Sequence, residues 1–325
     1  MAARVTKATR RLSQCDTAAF TNASDCQGAF DCGRVQLTVT GSGEFKARLT
    51  SLHLGKLHLL RGKENLPRIA YVSLPPSHVF FSFSNGDAPL IWDGVELLPG
   101  DIVFHSRGER MHQRTTGAGR WGMISLPASQ LASCGKSLNG LKIVSPPVGR
   151  LLRPQRAAAA RLLGLHDRIC RLAETGNGSI VPPAAARAME QQLLHALVDC
   201  LLAGEAVTNP QTRRRHASVM VRFEDELTTQ NARPLVLSEI CAAIGVPERT
   251  LRLCCTEFLG ISPTRYVLLR RLNMVRSALR RADPASTSVA EIARNFQFSE
   301  LGRFAVAYRT IFGEMPSTTL NGTPG

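Results

Sequence analysis

Between Arg34 and Leu126 the apolar residues either alternate with polar ones or gather in short runs. Val35-Gln36-Leu37-Thr38-Val39-Thr40 and Leu52-His53-Leu54 alternate, while Val79–Phe83, Ile102–Phe104 and Trp121–Leu126 are compact runs. Asn85-Gly86, Asp93-Gly94 and Pro99-Gly100-Asp101 separate them, so the pattern predicts many short strands in a sandwich or small barrel. Past Pro146-Pro147 and Pro154 the spacing becomes helical. Helices are predicted over Gln155–Glu174 and Ala184–Ala203, joined by Gly176-Asn177-Gly178 and Pro182-Pro183. The second carries Met189, Leu193, Leu197 and Leu201, reinforced by Leu194 and Val198, a stripe to be buried in its own domain or against a second copy. Thr208 to Thr212 and Arg213-Arg214-Arg215 read as a polar linker, and helical spacing resumes after them.

The last hundred residues contain a degenerate duplication. Leu237-Ser238-Glu239-Ile240 corresponds to Val289-Ala290-Glu291-Ile292; after one inserted residue Leu251 matches Phe304, Cys255 matches Tyr308, Gly260 matches Gly313 and Pro263 matches Pro316. Each copy is a short helix, a tight turn and a longer helix ending at glycine, which is the grammar of a helix-turn-helix. In the first copy Ile240, Ile244, Val246 and Leu251 make a small core, Cys241 and Ala242 allow close helix crossing, and Gly245 suits a turn of positive φ. Pro247-Glu248 suits the first turn of its second helix. In the second copy Ser288 and Glu291 have capping-box spacing, Ile292, Phe296, Phe304 and Tyr308 form the core, and Ser299 is placed to cap the following helix. Between the copies, Pro263 to Arg281 reads as one helix with a buried stripe of Tyr266, Leu269, Leu272, Val275 and Leu279. Its opposite face shows Arg270, Arg271, Arg276 and Arg280.

Composition changes this picture only at its margins. A chain of 325 residues with 44% hydrophobic and 20% charged side chains suits a soluble protein of two domains. Forty Lys and Arg against 25 acids give a net charge of +15, which favours a polyanionic partner without locating its site. No window approaches the roughly 18 apolar residues that a membrane-spanning helix needs. The basic start, Met1 to Arg11, is followed by no apolar run, so it reads as an arm rather than a secretory signal. Nine cysteines are scattered without a C-x-x-C pair, unlike a zinc ribbon or a disulfide scaffold, and a reducing cytoplasm is expected.

Several stretches together resemble the AraC/XylS family of bacterial transcription regulators: Gly260-Ile261-Ser262-Pro263-Thr264-Arg265-Tyr266, Arg271 to Leu279, Val289-Ala290-Glu291-Ile292-Ala293, Phe298-Ser299 and Phe304 to Gly313. The ending, Leu301 to Leu320, resembles the branch containing ethanolamine-operon regulators. The resemblance implies that both second helices enter successive major-groove segments of double-stranded promoter DNA. Reading positions then fall on Arg249, Arg252 and Leu253, flanked by Pro247, Glu248 and Thr250. Arginine can donate two hydrogen bonds to guanine, and Leu253 offers an apolar contact to a thymine methyl. In the second unit the positions are Leu301, Gly302 and Val306, none of which donates a side-chain hydrogen bond; Ser299, Glu300 and Arg303 stand nearby. Discrimination is therefore expected mainly from the first unit and positioning on the phosphates from the second. Gln297 replaces the family's turn glycine, which puts the geometry of that turn in doubt.

The family's N-terminal domains sense small molecules or dimerise, often through a cupin-like barrel, and Pro99-Gly100-Asp101-Ile102-Val103-Phe104 resembles a turn and strand of such barrels. The expected architecture is an α+β multidomain chain: a β-rich cupin-like sensor over 1–148, a helical hairpin and dimerisation element over 149–207, a linker over 208–215, and an all-α tandem helix-turn-helix domain over 216–320. Phe81, Phe83, Trp92, Phe104 and Trp121 either fill the barrel core or line an effector cavity in which His105 fixes orientation. His105, Glu109 and His112 invite a metal reading, but Arg107 stands where a paired histidine would be, and His53 and His58, five apart, should point to opposite faces. No metal, cofactor or catalytic group is therefore assigned. Cys254 and Cys255 read as core thiols. The expected function is an effector-gated, sequence-specific transcription regulator, a cytoplasmic homodimer contacting RNA polymerase and no membrane. The alternatives are a metal-dependent cupin enzyme fused to a DNA-binding domain and a ligand-free regulator controlled by a protein partner.

Overall fold

A computed structural model describes residues 13–175, 182–207, 211–229 and 236–322. The basic arm, the Gly176-Asn177-Gly178 join and residues 208–210 of the expected linker lie outside them. The chain opens with β1 (Ser13–Phe20), α1 (Ala23–Gly28), β2 (Arg34–Val39), β3 (Ala47–Leu54), β4 (Leu57–Glu64), β5 (Arg68–Ser73) and β6 (His78–Ser84). It continues through β7 (Leu90–Trp92), β8 (Val95–Leu97), β9 (Ile102–Phe104), β10 (Arg110–Thr115), β11 (Gly119–Pro127) and α2 (Ala128–Asn139). Then come β12 (Arg150–Arg153), the helices α3 (Arg156–Thr175) and α4 (Pro183–Ala203), and β13 (Glu205–Val207).

These strands form two open antiparallel sheets, ordered β1-β3-β4-β11-β6-β9-β12-β13 and β2-β5-β10-β7-β8. The closed cupin-like barrel expected from the sequence is thus replaced by two facing sheets with free edges. Leu37, Ala70, Val72, Trp92 and Met111 of the smaller sheet meet Leu49, Leu60, Phe80, Trp121 and Met123 of the larger one in a common core. The strand period of two sends the alternate residues Val79, Phe81 and Phe83 to the outer face of the larger sheet, where α2, α3 and α4 cover them.

The helical hairpin is part of this domain rather than a separate element. β12 and β13, which flank it, pair with each other and extend the larger sheet beyond β9. Leu193, Leu194 and Leu197 of α4 are buried in the sheet–helix core with Met189 and Leu201 packed against it, and Val198 is fully buried. The apolar stripe is therefore satisfied within the chain.

Among the described residues seven helices follow: α5 (Gln211–Thr229), α6 (Leu237–Ile244), α7 (Glu248–Leu259), α8 (Pro263–Arg281), α9 (Val289–Asn295), α10 (Leu301–Phe312) and α11 (Pro316–Asn321). Arg213-Arg214-Arg215, expected as linker, lies in α5, because Val219, Met220, Phe223 and Leu227 give that segment a face to bury. Two small cores share α8. Tyr266 belongs to the one that holds Ile240, Ile244, Leu251 and Phe258, whereas Leu269, Leu272, Val275 and Leu279 pack with Ile292, Phe304 and Tyr308. Ser262 caps α8 by accepting from the Arg265 N–H at 3.3 Å, with Pro263 in its first turn. Ala242 is exposed, so Cys241 alone provides the close crossing there. Gly245 has φ +66°, and Gln297 adopts the same φ of +66° in the second turn, so the turn is kept despite the missing glycine.

Candidate nucleic-acid interface

The inner face of α7 is anchored by Leu251, Cys254, Cys255 and Phe258, and helical periodicity leaves Glu248, Arg249, Arg252 and Leu253 exposed. Burial pushes the Cys254 thiol up to about 11 and raises that of Cys255 further, so both are inert packing groups. Arg249 has no ion pair or hydrogen bond among the described residues. Arg252 donates from Nε to Glu248 Oε1 at 2.8 Å, one turn back, in an exposed pair worth at most about 0.5 kcal/mol and easily exchanged for a base or phosphate. Pro247 is the N-cap of α7, and Thr250 is half-buried.

In α10, Phe304, Tyr308, Ile311 and Phe312 face inward and Gly302, Arg303 and Val306 outward. Ser299 does not cap this helix; the N-cap is Glu300, which makes no side-chain capping bond and pairs instead with Arg303 at 3.0 Å. Leu301 is half-buried. A Cβ at Gly302 would meet nothing within 4 Å, so no packing inside the chain demands glycine there, and its backbone lies open to close approach. Leu253 is 57% exposed and Val306 69%. They occupy the same position in the two units, which places a large bare apolar side chain at matching points of both second helices.

The β-domain sits against the opposite side of these units. Glu224 of α5, 1% exposed, is the hub of the contact. It accepts from His112 Nε2 of β10 at 2.8 Å, Tyr266 Oη at 2.6 Å and Arg270 Nη1 at 2.5 Å. Burial pushes its carboxyl up, but the hydrogen bond from His112 and the charge of Arg270 outweigh this and leave its pKa below the ordinary value. Asn273 of α8 accepts from the Val39 N–H and donates to the Val39 carbonyl, both at 3.1 Å, closing the edge of β2. Arg270 and Arg276, expected on an exposed face, are 6% and 8% exposed because Arg270 lies against Glu224 of α5 and Arg276 against Phe312 and Glu314. Arg271 is half-buried over the Phe298 ring. An arginine face looks solvated in a linear sequence, and no local signal marks which members will be covered.

The six residues suggested for an effector cavity are not brought together. Phe81, Phe83 and Phe104 pack in the sheet–helix core, Phe81 stacking on Phe104 at 4.5 Å, whereas Trp92 and Trp121 belong to the core between the sheets. His105 is buried between them and engaged on both nitrogens, by Ser82 Oγ at 2.7 Å and Glu109 Oε1 at 3.1 Å; Trp92 Nε1 also donates to Glu109. The space beside Ser82 is about 30 Å³, room for little more than a water. With His105 held by Glu109 and His112 by Glu224, the two imidazoles that invited a metal reading belong to separate networks.

His53 and His58 do not point apart. They are directly opposed across the β3–β4 hairpin, so their rings share a face and stack at 4.1 Å. With Asp31, 3.5 Å from His58 Nε2, they form a group whose ligand atoms lie within 4.8 Å of one another, the donor set that a divalent transition metal would use. Counting positions along one strand missed the tight turn that brings them level.

Residues 240–322 match a family described as a helix-turn-helix domain. Over 100 residues the chain is 37% identical to the probable thc operon regulatory protein of Rhodococcus erythropolis, covering 31% of this chain and 30% of that protein. Over 89 residues it is 34% identical to the XylDLEGF operon transcriptional activator 2 of Pseudomonas putida, covering 27% of this chain and 57% of that one. The aligned stretch thus spans less than two thirds of either relative. The solved structure of the AraC-like transcriptional activator CuxR aligns with 75% of this chain and 86% of its own at 17% identity, with a TM-score of 0.39.

Proposed function

We propose that this chain, whose C-terminal third belongs to the AraC/XylS family of helix-turn-helix domains, is a sequence-specific transcription regulator in which the β-domain gates DNA binding in response to a small-molecule effector. Arg249, Arg252 and Leu253 of α7 read bases in one major-groove segment. α10 enters the next, with Gly302 allowing close approach, Val306 touching a thymine methyl and Arg303 serving a phosphate. The observation that carries the reading is the bare α7 face, matched in register by Val306 of α10, while every large residue behind it is packed. Gating follows from the buried Glu224 contact, which ties β10 to α5 and α8: a ligand that binds the docked and undocked arrangements unequally shifts the population able to engage DNA. The regulator works in the cytoplasm as a homodimer that contacts RNA polymerase.

The test begins with DNA fragments that the chain selects from its genome. Arg252→Ala and Arg249→Ala should each weaken binding to a selected site by about 1–3 kcal/mol while changing affinity for random DNA much less. Equal losses on both DNAs would make these arginines phosphate contacts and remove the base-reading assignment.

A further inference from the structure

The β3–β4 hairpin turns on Gly55-Lys56, with Gly55 at φ +59°, and this two-residue turn fixes the register that sets His53 opposite His58. The imidazoles stack at 4.1 Å; His58 is half-buried and His53 exposed. A third group arrives from elsewhere in the fold. Asp31 lies between α1 and β2, and its neighbour Cys32, buried in the core between the sheets, anchors the backbone there. One carboxylate oxygen of Asp31 comes to 3.5 Å from His58 Nε2. Ser51 Oγ touches both groups, 2.8 Å from that nitrogen and 3.4 Å from the other carboxylate oxygen. A hydroxyl carries a single proton and cannot donate to both. His53 has its ring contact but no hydrogen bond among the described residues, and no Lys or Arg among them pairs with Asp31. In a chain with 40 Lys and Arg, two imidazoles and a carboxylate thus gather their lone pairs at one point without a cation to meet them.

We propose that Asp31, His53 and His58 bind a divalent first-row transition metal ion of the zinc, cobalt or nickel kind, which clips the two sheets of the β-domain together. Imidazole suits such ions, whereas calcium and magnesium call for shells of oxygen. Bonds of about 2.0–2.2 Å set the ligand atoms of a tetrahedral ion roughly 3.3–3.6 Å apart. The Asp31–His58 separation already has that value, and the widest in the group, within 4.8 Å, needs to close by about 1.5 Å at most. Asp31 and His53 are exposed, so side-chain rotation supplies the adjustment without moving the hairpin backbone. Three protein ligands leave a position for water. His53 and His58 belong to the larger sheet and Asp31 leads into β2 of the smaller one, so the ion joins the sheets through their side chains. The site uses no residue of the helices that read DNA and stands or falls independently of the proposed regulation.

Titration of the full chain with Co²⁺ and Zn²⁺ tests the site, the protein carrying no polyhistidine tag, stripped with chelator and kept reduced. Co²⁺ should bind saturably and develop visible d–d absorption without the near-ultraviolet thiolate-to-metal band that cysteine ligation gives. Zn²⁺ should displace it, and a large excess of Mg²⁺ should not. Saturating Zn²⁺ should also raise the melting temperature, because the unfolded chain does not hold the three ligands together. Asp31→Ala combined with His53→Ala alters two exposed side chains, so the variant keeps its fold. It should bind Co²⁺ at least about tenfold more weakly and lose the Zn²⁺ shift in melting temperature. No saturable Co²⁺ uptake, a thiolate band, displacement by Mg²⁺ as readily as by Zn²⁺, or an affinity unmoved by the double substitution would each overturn the proposal.

Discussion

Replacing Glu224 with glutamine tests whether the buried hub ties the domains together. The substitution keeps size and shape, but one acceptor oxygen becomes an NH₂ donor facing groups that are themselves donors: His112 Nε2, Tyr266 Oη and Arg270 Nη1. The remaining carbonyl oxygen can serve either Arg270 or the His112–Tyr266 side but not both, and the Arg270 charge, with Thr228 Oγ1 3.3 Å from Nη2, is left buried without a counter-ion. Breaking a buried pair from one side costs about 3–5 kcal/mol, against at most about 1 kcal/mol for an exposed pair such as Arg303–Glu300. Glu224→Gln should therefore lower the unfolding free energy by about 3 kcal/mol, measured by denaturant titration followed by circular dichroism. Arg270→Met in the same background should recover part of that loss, because it removes the stranded charge. The double variant is then expected to lie at least about 1.5 kcal/mol above the sum of the single effects. A Glu224→Gln cost below about 1 kcal/mol, or strict additivity with Arg270→Met, would refute the hub.

Gln297→Gly should stabilise the second unit by about 1 kcal/mol, since glycine adopts φ +66° without the Cβ penalty; a lower melting temperature would show the turn to be unstrained. Acid should destabilise in two stages. Burial lowers His166 from 6.5 to about 4 in the folded chain, so its contribution is complete above pH 6.5 and is lost as the pH falls from there towards 4. Glu224 and Glu109, both held below the ordinary carboxylate value, contribute above the unfolded pKa and lose that contribution as the pH drops through their folded pKa. Burial likewise lowers His58 to about 4, so in melting temperatures between pH 8 and pH 3 His166→Gln should reduce the first stage without abolishing it and leave the second in place; an unchanged profile contradicts the assignment. DNA affinity should fall by about 10³-fold between roughly 50 and 200 mM salt, and a flat response would exclude phosphate contacts by both units.

Periodicity, caps and turn residues alone specify much of the C-terminal domain. The α8 stripe, Ser262-Pro263 before it and Asp283-Pro284 after it define its length, and Gly245 marks one of the two turns. The exposed face of α7 is equally legible, because 3.6-residue spacing fixes which side Leu251, Cys255 and Phe258 must bury. In the β-domain the short strands are legible, but not which sheet each joins or whether the sheets close. Tertiary structure alone decided that Phe81 and Trp121 lie in different cores, that His53 meets His58, and that Arg270 and Arg276 are covered rather than solvated. Glu224 lies 112 positions from His112 and 46 from Arg270, and the Arg276 edge faces a strand near the start of the chain. Local spacing sets which side of a helix or strand is apolar, whereas the partner of a buried charge depends on which distant surface packs over it, and a linear pattern carries no term for that.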